Sequence, residues 1–259
     1  MKKFLLIAAL VATTLSVQAQ TRLTLSTYNG TNLERYDGKV CNVTVNRYMF
    51  TGWNTIALPF SLTQQELDEV FGSDCKIERL AGVEDAPNGV VLNFVSCKSE
   101  GLEANTPYML YYTGEPGYRK IVKEAQVTDA QAALTFATEK GEVVTMEGAR
   151  MHTDGDGLYG VLARDNAEVK FVAVGEEHTS GFYATRCFIR LASGTDRMLI
   201  ARHLAAGEAT SIAAVAQAGE LVDVYTLSGQ KVAQQISASE VANLKPAVYI
   251  VKGQKILVK

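Results

Sequence analysis

Cys41-Asn42-Val43-Thr44-Val45-Asn46 is an uninterrupted alternation of small or apolar residues with polar ones. Successive side chains of a strand point to opposite faces, so this period of two predicts a strand with one face toward a core. The same signature recurs along the chain. Leu92 and Phe94 alternate with Val91, Asn93 and Val95, and Tyr183, Thr185, Cys187, Ile189 and Leu191 alternate with Ala184, Arg186, Phe188 and Arg190. Further short strands are predicted over Pro107–Thr113, Ala133–Thr138, Gly157–Ala163, Val169–Val174 and Arg197–Ala201. One helix interrupts them. Thr63-Gln64-Gln65-Glu66 has the capping-box pattern, Leu67, Val70 and Phe71 follow at helical spacing, and Gly72 is a stop. Short strands separated by Gly, Asn and Asp predict an all-β, mainly antiparallel fold, with a sandwich or jelly-roll-like body and one short helix. Hydrophobic residues make up 47% of the chain, enough for a sizeable core.

Outward from this body the ends differ in character. Lys2 and Lys3 precede an apolar run from Phe4 to Ala12 and the small-residue site Val17-Gln18-Ala19. This predicts a secretory signal peptide over residues 1–19, with Gln20 as the new terminus. The run is too short to span a bilayer, which takes about 20 residues, and no Cys follows the cleavage site to carry a lipid. No later stretch is long enough to span, so no transmembrane segment is expected. Loss of Lys2 and Lys3 takes the net charge from −3 to −5, a balance that does not suit nucleic acid.

The body is predicted to run from residue 20 to 204, with two faintly similar halves at about 20–125 and 126–204. Residues 205–219 are rich in Ala, with Gly near both ends, and read as a linker in preference to a short helix. Residues 220–259 form a separate β unit. Counted from Leu221, its Lys residues give the unit a charge of +3, opposite in sign to the rest. Ser228-Gly229 provides one turn. Gly253, between Val248-Tyr249-Ile250-Val251 and Ile256-Leu257-Val258, supplies the positive φ of a second.

The motif search returns little chemistry. Gly155-Asp156-Gly157-Leu158-Tyr159-Gly160 fits G-x-G-x-x-G in letters, but lacks the strand before and helix after that dinucleotide binding requires, so it reads as a turn. Asp154 and Asp156 are weak calcium candidates, without the downstream Glu of a calcium loop. His152, His178 and His203 have no metal-ligand spacing, and G-x-S-x-G is missing. Cys41, Cys75, Cys97 and Cys187 contain no C-x-x-C. They suit either one disulfide or none, with Cys41 and Cys187 on apolar strand faces. No catalytic, cofactor-binding or firm metal residue is assigned, and no cofactor is expected. Aromatic residues remain. Tyr108, Tyr111, Tyr112 and Tyr118 are candidate ligand-binding residues, and Tyr48, Phe50 and Trp53 form a second group, with Trp53 expected in the core.

The tail motif Val224-Tyr225-Thr226-Leu227-Ser228-Gly229-Gln230-Lys231-Val232, followed by Leu244, Val248-Tyr249-Ile250-Val251, Lys255 and Lys259, resembles the C-terminal sorting domain of Bacteroidetes proteins exported by the type IX (Por) secretion system. The likeness covers about 40 residues; the family has Gly where Ala247 stands. It implies a sorting role for Val224, Tyr225, Gly229, Lys231, Val248, Tyr249, Lys255 and Lys259, with the export machinery as partner. Asn42–Arg47, Gly52–Phe60 and Ala104–Leu110 look like the β-rich body of uncharacterised secreted Bacteroidetes proteins. Together these readings predict a non-catalytic exported protein of the cell surface or secreted fraction, having crossed the outer membrane. Its expected role is binding, structural or adhesive, with a host or cell-surface protein or glycan as ligand. The alternatives are a secreted hydrolase of glycans or peptides and a self-assembling surface or fimbrial subunit.

Overall fold

The computed structural model describes residues 21–131, 133–162, 169–174, 181–205, 221–237, 240–241, 243–245 and 247–258. The predicted signal peptide, His178, Lys259 and all but the first residue of the predicted linker lie outside them. The strands are β1 (Thr21–Leu25), β2 (Val40–Met49), β3 (Gly52–Ile56), β4 (Lys76–Ala86), β5 (Gly89–Ser96), β6 (Tyr108–Tyr112), β7 (Gly117–Gln126), β8 (Ala133–Ala137), β9 (Val143–Gly148), β10 (Tyr159–Leu162), β11 (Lys170–Ala173), β12 (Cys187–Leu191), β13 (Met198–Leu204) and, in the tail, β14 (Leu221–Thr226), β15 (Lys231–Ser237), β16 (Ala247–Val251) and β17 (Gln254–Val258). The fold is all-β and mainly antiparallel.

Three sheets make the body, and the middle one is buried on both faces. The central sheet has the order β13-β5-β4-β6-β3. One of its faces presents Ile56, Ile77, Tyr108, Leu110 and Tyr112 to Leu23, Val43, Val45 and Ile121 of the sheet β1-β2-β7. Its other face presents Trp53, Leu80, Leu92, Phe94 and Met109 to Leu134, Phe136, Val144, Met146 and Ile189 of the sheet β11-β10-β12-β9-β8. Each fully buried Leu, Ile or Phe contributes about 1.5–3 kcal/mol, so the two interfaces carry the stability of the body. Burial on both faces explains β5. It reads as an alternation with polar Asn93, yet every residue from Gly89 to Val95 is buried.

The outer strand β2 follows the predicted pattern. Cys41, Val43, Val45, Arg47 and Met49 point inward, and Asn42, Thr44, Asn46 and Tyr48 point outward. The single helix, α1 (Gln64–Phe71), forms where predicted. The Glu66 amide donates to the Thr63 hydroxyl (3.3 Å), the Thr63 amide donates to Glu66 Oε2 (2.8 Å), and Gly72 ends the helix at φ +91°. Leu67 and Phe71 enter the core, and Lys123 of β7 pairs with Glu66 at 2.6 Å, fastening the helix to the outer sheet.

One expectation is corrected. The strand over Tyr183–Leu191 begins only at Cys187, because Thr185 takes φ +70° and turns the chain. All four cysteines are buried and free, so none forms a disulfide; Cys41, Cys75 and Cys97 lie in the first core and Cys187 in the second.

The stretch after residue 126 builds the third sheet and then returns. Its last strand, β13, adds to β5 in parallel, with Met198 opposite Gly89 and Leu204 opposite Val95. The backbones approach so closely there that a Cβ on Gly89 would collide with the Met198 carbonyl oxygen.

The tail is one four-stranded sheet, β15-β14-β16-β17. Lys252 (φ +50°) and Gly253 (φ +78°) make the tight turn between β16 and β17. The inner face of this sheet carries Val222, Val224, Tyr249, Val251 and Ile256. It packs on Val241 and on Ala81, Val95 and Leu204 of the body. A single sheet has no second layer of its own, so the central sheet of the body supplies part of its cover.

Candidate functional site

The four tyrosines proposed from the sequence do not share a site. Within β6 the pleat sends Tyr108 and Tyr112 into the first core and Tyr111 toward the second, where it meets Trp53 edge-on at 5.2 Å. Burial pushes the Tyr108 phenol up to about 12. Tyr118 alone is at the surface, 63% exposed on the outer face of β7. Asp154 and Asp156 form a local turn, in which the Asp156 amide donates to Asp154 Oδ1 (3.2 Å). Among the described residues no three His, Cys, Asp or Glu gather as a metal site.

Register creates a different aromatic group. Tyr48 on β2 stands opposite Tyr118 on β7, and both point outward. Their rings meet edge-on at 5.2 Å, and Phe50, just past β2, meets Tyr48 edge-on at 5.1 Å. All three are exposed. On the other side of β2, Tyr28 lies 4.9 Å from Tyr183, and His152 lies 5.6 Å from Tyr183. Arg186 joins the two groups. Its guanidinium lies 5.7 Å over the Phe50 ring and donates to the Tyr48 carbonyl (3.3 Å), while its amide donates to the Tyr183 carbonyl (3.2 Å). The result is a strip of exposed rings across one end of the β1-β2-β7 sheet. Tyr48, Phe50 and Tyr118 belong to the two groups singled out in the sequence, whereas Trp53 is core as expected. Tyr28 and Tyr183 gave no sequence signal, since only the fold brings them together.

Arginines lie at and below the strip. Arg47, 2% exposed, points inward from β2 and reaches all three layers. Its Nη1 donates to the Thr185 carbonyl and hydroxyl oxygens (2.7 Å to the hydroxyl), and its Nη2 donates to the Thr55 carbonyl. Its Nε has no partner among the described residues. Burial, aided by the charge of Arg186, pushes the Arg47 guanidinium down to about 9, and burial lowers Arg186 as well. Arg119, opposite Arg47 in the register, donates to the Tyr112 hydroxyl and to the carbonyls of Tyr118 (3.0 Å) and Glu115 (3.2 Å). Beside Arg47, Thr55 accepts from the Cys187 amide (2.9 Å), and burial pushes the Cys187 thiol up to about 12, which keeps it from acting as a thiolate nucleophile.

A second polar cluster lies between the central and third sheets. His203 Nδ1 is 2.6 Å from Glu78 Oε2, and the imidazole stacks on Trp53 at 4.6 Å. This pair joins β13 to β4 and fixes the edge of the central sheet. A small pocket of about 30 Å³, open to the surface beside Ser26, Thr31 and Arg150 and floored by Ala57, Asn105 and Thr185, has room for about two waters.

In the tail, Val224 and Tyr249 are buried, and the Tyr249 hydroxyl donates to the Lys245 carbonyl (3.0 Å). Val248 and Tyr225 are half-buried. Gly229 turns the chain at φ +82°, Lys231 pairs with Asp223 at 2.7 Å, and Lys255 stands opposite Ile250. No family model matches the chain, and neither a curated protein nor a solved structure does.

Proposed function

We propose that this chain is an exported, non-catalytic binding protein of the cell surface or the secreted fraction. Its body presents the aromatic strip to a ligand, and its tail serves as the export address. The exposure of Tyr28, Tyr48, Phe50, Tyr118 and Tyr183 carries this reading. Large apolar rings left in water and gathered into one strip are what a binding surface uses, because their burial against a ligand is favourable and their hydroxyls orient it. Tyr48 and Tyr118 sit opposite each other on the paired strands β2 and β7, which fixes their spacing, and Tyr28, Phe50 and Tyr183 join them from the adjoining turns. The tail reading is supported by the motif around Val224–Val232 and by a basic charge that sets it apart from the body.

The two halves of the proposal are tested separately. For the body, the purified protein is screened on arrays of glycans and surface proteins beside the double variant Tyr48→Ala/Tyr118→Ala. Both side chains are outside the core, so the variant folds. A ligand whose binding survives the double change is not held by the strip. For the tail, a chain lacking residues 221–259 is expressed in a Bacteroidetes host with a type IX system. It is expected to accumulate in the periplasm, and undiminished surface display of the truncated chain rejects the address.

A further inference from the structure

We infer that the strip binds acidic glycans, polysaccharides bearing carboxylate or sulfate groups, with Arg186 as the anion-recognising residue. The inference rests on the binding role proposed above and names the ligand of that same surface.

Arg47 and Arg119 stand opposite each other at this end of the β1-β2-β7 sheet, Arg186 reaches the Tyr48 carbonyl beside them, and no carboxylate of the described residues forms an ion pair with any of the three. The ion pairs of Arg79, Arg150, Arg190, Arg197 and Arg202 each involve a Glu or Asp. Arg47, Arg119 and Arg186 instead spend their donors on carbonyl and hydroxyl oxygens. Neutral acceptors leave the charge uncompensated. Arg47 is enclosed, so its field emerges through the low-dielectric layer above it, where Arg186 lies partly open beside Phe50. Lys120, facing outward opposite Asn46, adds to the same sign. In a chain of net charge −3, this is a local positive site set among rings.

The form of the surface selects a glycan over an acidic peptide. An extended peptide gains affinity by adding to an open strand edge. Here β1 pairs β2 only along Cys41–Val45, and beyond it, at the strip, the Asn46 and Tyr48 carbonyls accept from the Thr27 hydroxyl (3.2 Å) and from Arg186 (3.3 Å), so this edge of β2 offers no free carbonyl there. What faces outward is side chain: Asn42, Thr44 and Asn46 leading to Tyr48. Amides and hydroxyls suit sugar hydroxyls, aromatic faces suit the apolar faces of pyranose rings, and a planar guanidinium suits a two-oxygen anion.

Affinity electrophoresis of the full protein through gels containing polygalacturonate, heparin or neutral dextran tests the inference, at 50 and 300 mM salt. Retardation is expected with at least one acidic polymer, distinguishing carboxylate from sulfate, with none by dextran, and with at least threefold weakening at the higher salt. Arg186→Gln and Tyr118→Ala are each expected to weaken binding tenfold or more, with thermal melts confirming the fold, while Arg79→Gln, remote from the strip, leaves it unchanged. Tyr118→Ala keeps the test decisive if the Arg186 variant does not fold. Failure of both acidic polymers to retard the protein overturns the inference, as does retardation that neither variant reduces. Equal retardation by dextran that depends on Tyr118 but not on Arg186 overturns the acidic ligand and leaves the binding role standing.

Discussion

Replacing Arg47 probes what holds the three layers together. Its guanidinium spans from β2 to Thr55 of the central sheet and Thr185 at the approach to β12, from a site with 2% exposure and no carboxylate. Two opposing quantities are set against each other. Burying an unpaired cation costs several kcal/mol, and each hydrogen bond from a charged donor returns roughly 1.5–3 kcal/mol. Three such bonds offset the cost, so the residue is tolerated and the truncation is what hurts. Arg47→Met fills most of the volume but removes the side-chain donor to the Thr55 carbonyl, while the Thr185 carbonyl keeps the Ala57 amide (3.0 Å), so a loss of about 1–3 kcal/mol is expected. Arg47→Ala adds a cavity and is expected to lose about 4–6 kcal/mol, a large part of a typical domain's stability. Arg47→Lys, which carries the charge but has no fork, falls between wild type and Met. Urea unfolding monitored by Trp53 fluorescence gives the values, with the slope confirming a common unfolded state. A Met variant as stable as the wild type, or more stable, refutes the reasoning: desolvation of the cation would then outweigh its ties to the other layers.

Four further outcomes follow from features described above. Thr63→Ala removes the helix cap and is expected to cost about 1 kcal/mol in the same assay, with Thr63→Ser restoring most of it. Burial pushes the Glu142 carboxyl up, but the Ser193 amide (3.1 Å) and Arg197 (3.0 Å) outweigh it and hold it below the usual value. Its stabilisation is therefore present above the unfolded pKa of about 4.3 and is lost as pH falls through the lower folded value; Glu142→Gln should flatten the acid limb of a melting-temperature profile there. Gly89→Ala drives a methyl into the Met198 carbonyl, so hydrogen exchange should speed up along β13 before it does in β2. A peptide of residues 221–259 alone is expected to give a coil-like far-UV circular dichroism spectrum, because Ala81, Val95 and Leu204 are missing from beneath its sheet.

The readable parts of the sequence were those in which local physics and tertiary environment agree. β2 has a wet face and a dry face, so its letters alternate; α1 carries its own cap and stop; the turn between β16 and β17 needs positive φ and has Gly253. β7 was not legible because its inward positions include Arg119 and Lys123, whose charged ends escape to the Tyr112 hydroxyl and to Glu66. β4 mixes Lys76, Glu78, Arg79 and Glu84 with apolar residues, and Glu78 is buried only because His203 reaches it from a strand far along the chain. The aromatic strip was half visible. Tyr48, Phe50 and Tyr118 stood out as letters, but joining them needed the β2–β7 register, and finding Tyr28 and Tyr183 needed the turn at Thr185. Strand pairing between distant segments leaves no periodic trace in either partner.

The return of β13 to β5 governs how the protein is made. Gly89 and Met198 are partners although 109 positions separate them, so this parallel ladder closes only once the chain up to β13 has been made. Non-local pairings of this kind slow folding, because the entropy of the long loop is lost before the contacts compensate. Until β13 arrives, Gly89-Val90-Val91-Leu92-Asn93-Phe94-Val95 is an open strand edge rich in β-branched and apolar residues, a template for pairing with other chains. During synthesis, then, the interval in which this edge lies open runs from the emergence of β5 to that of residue 204.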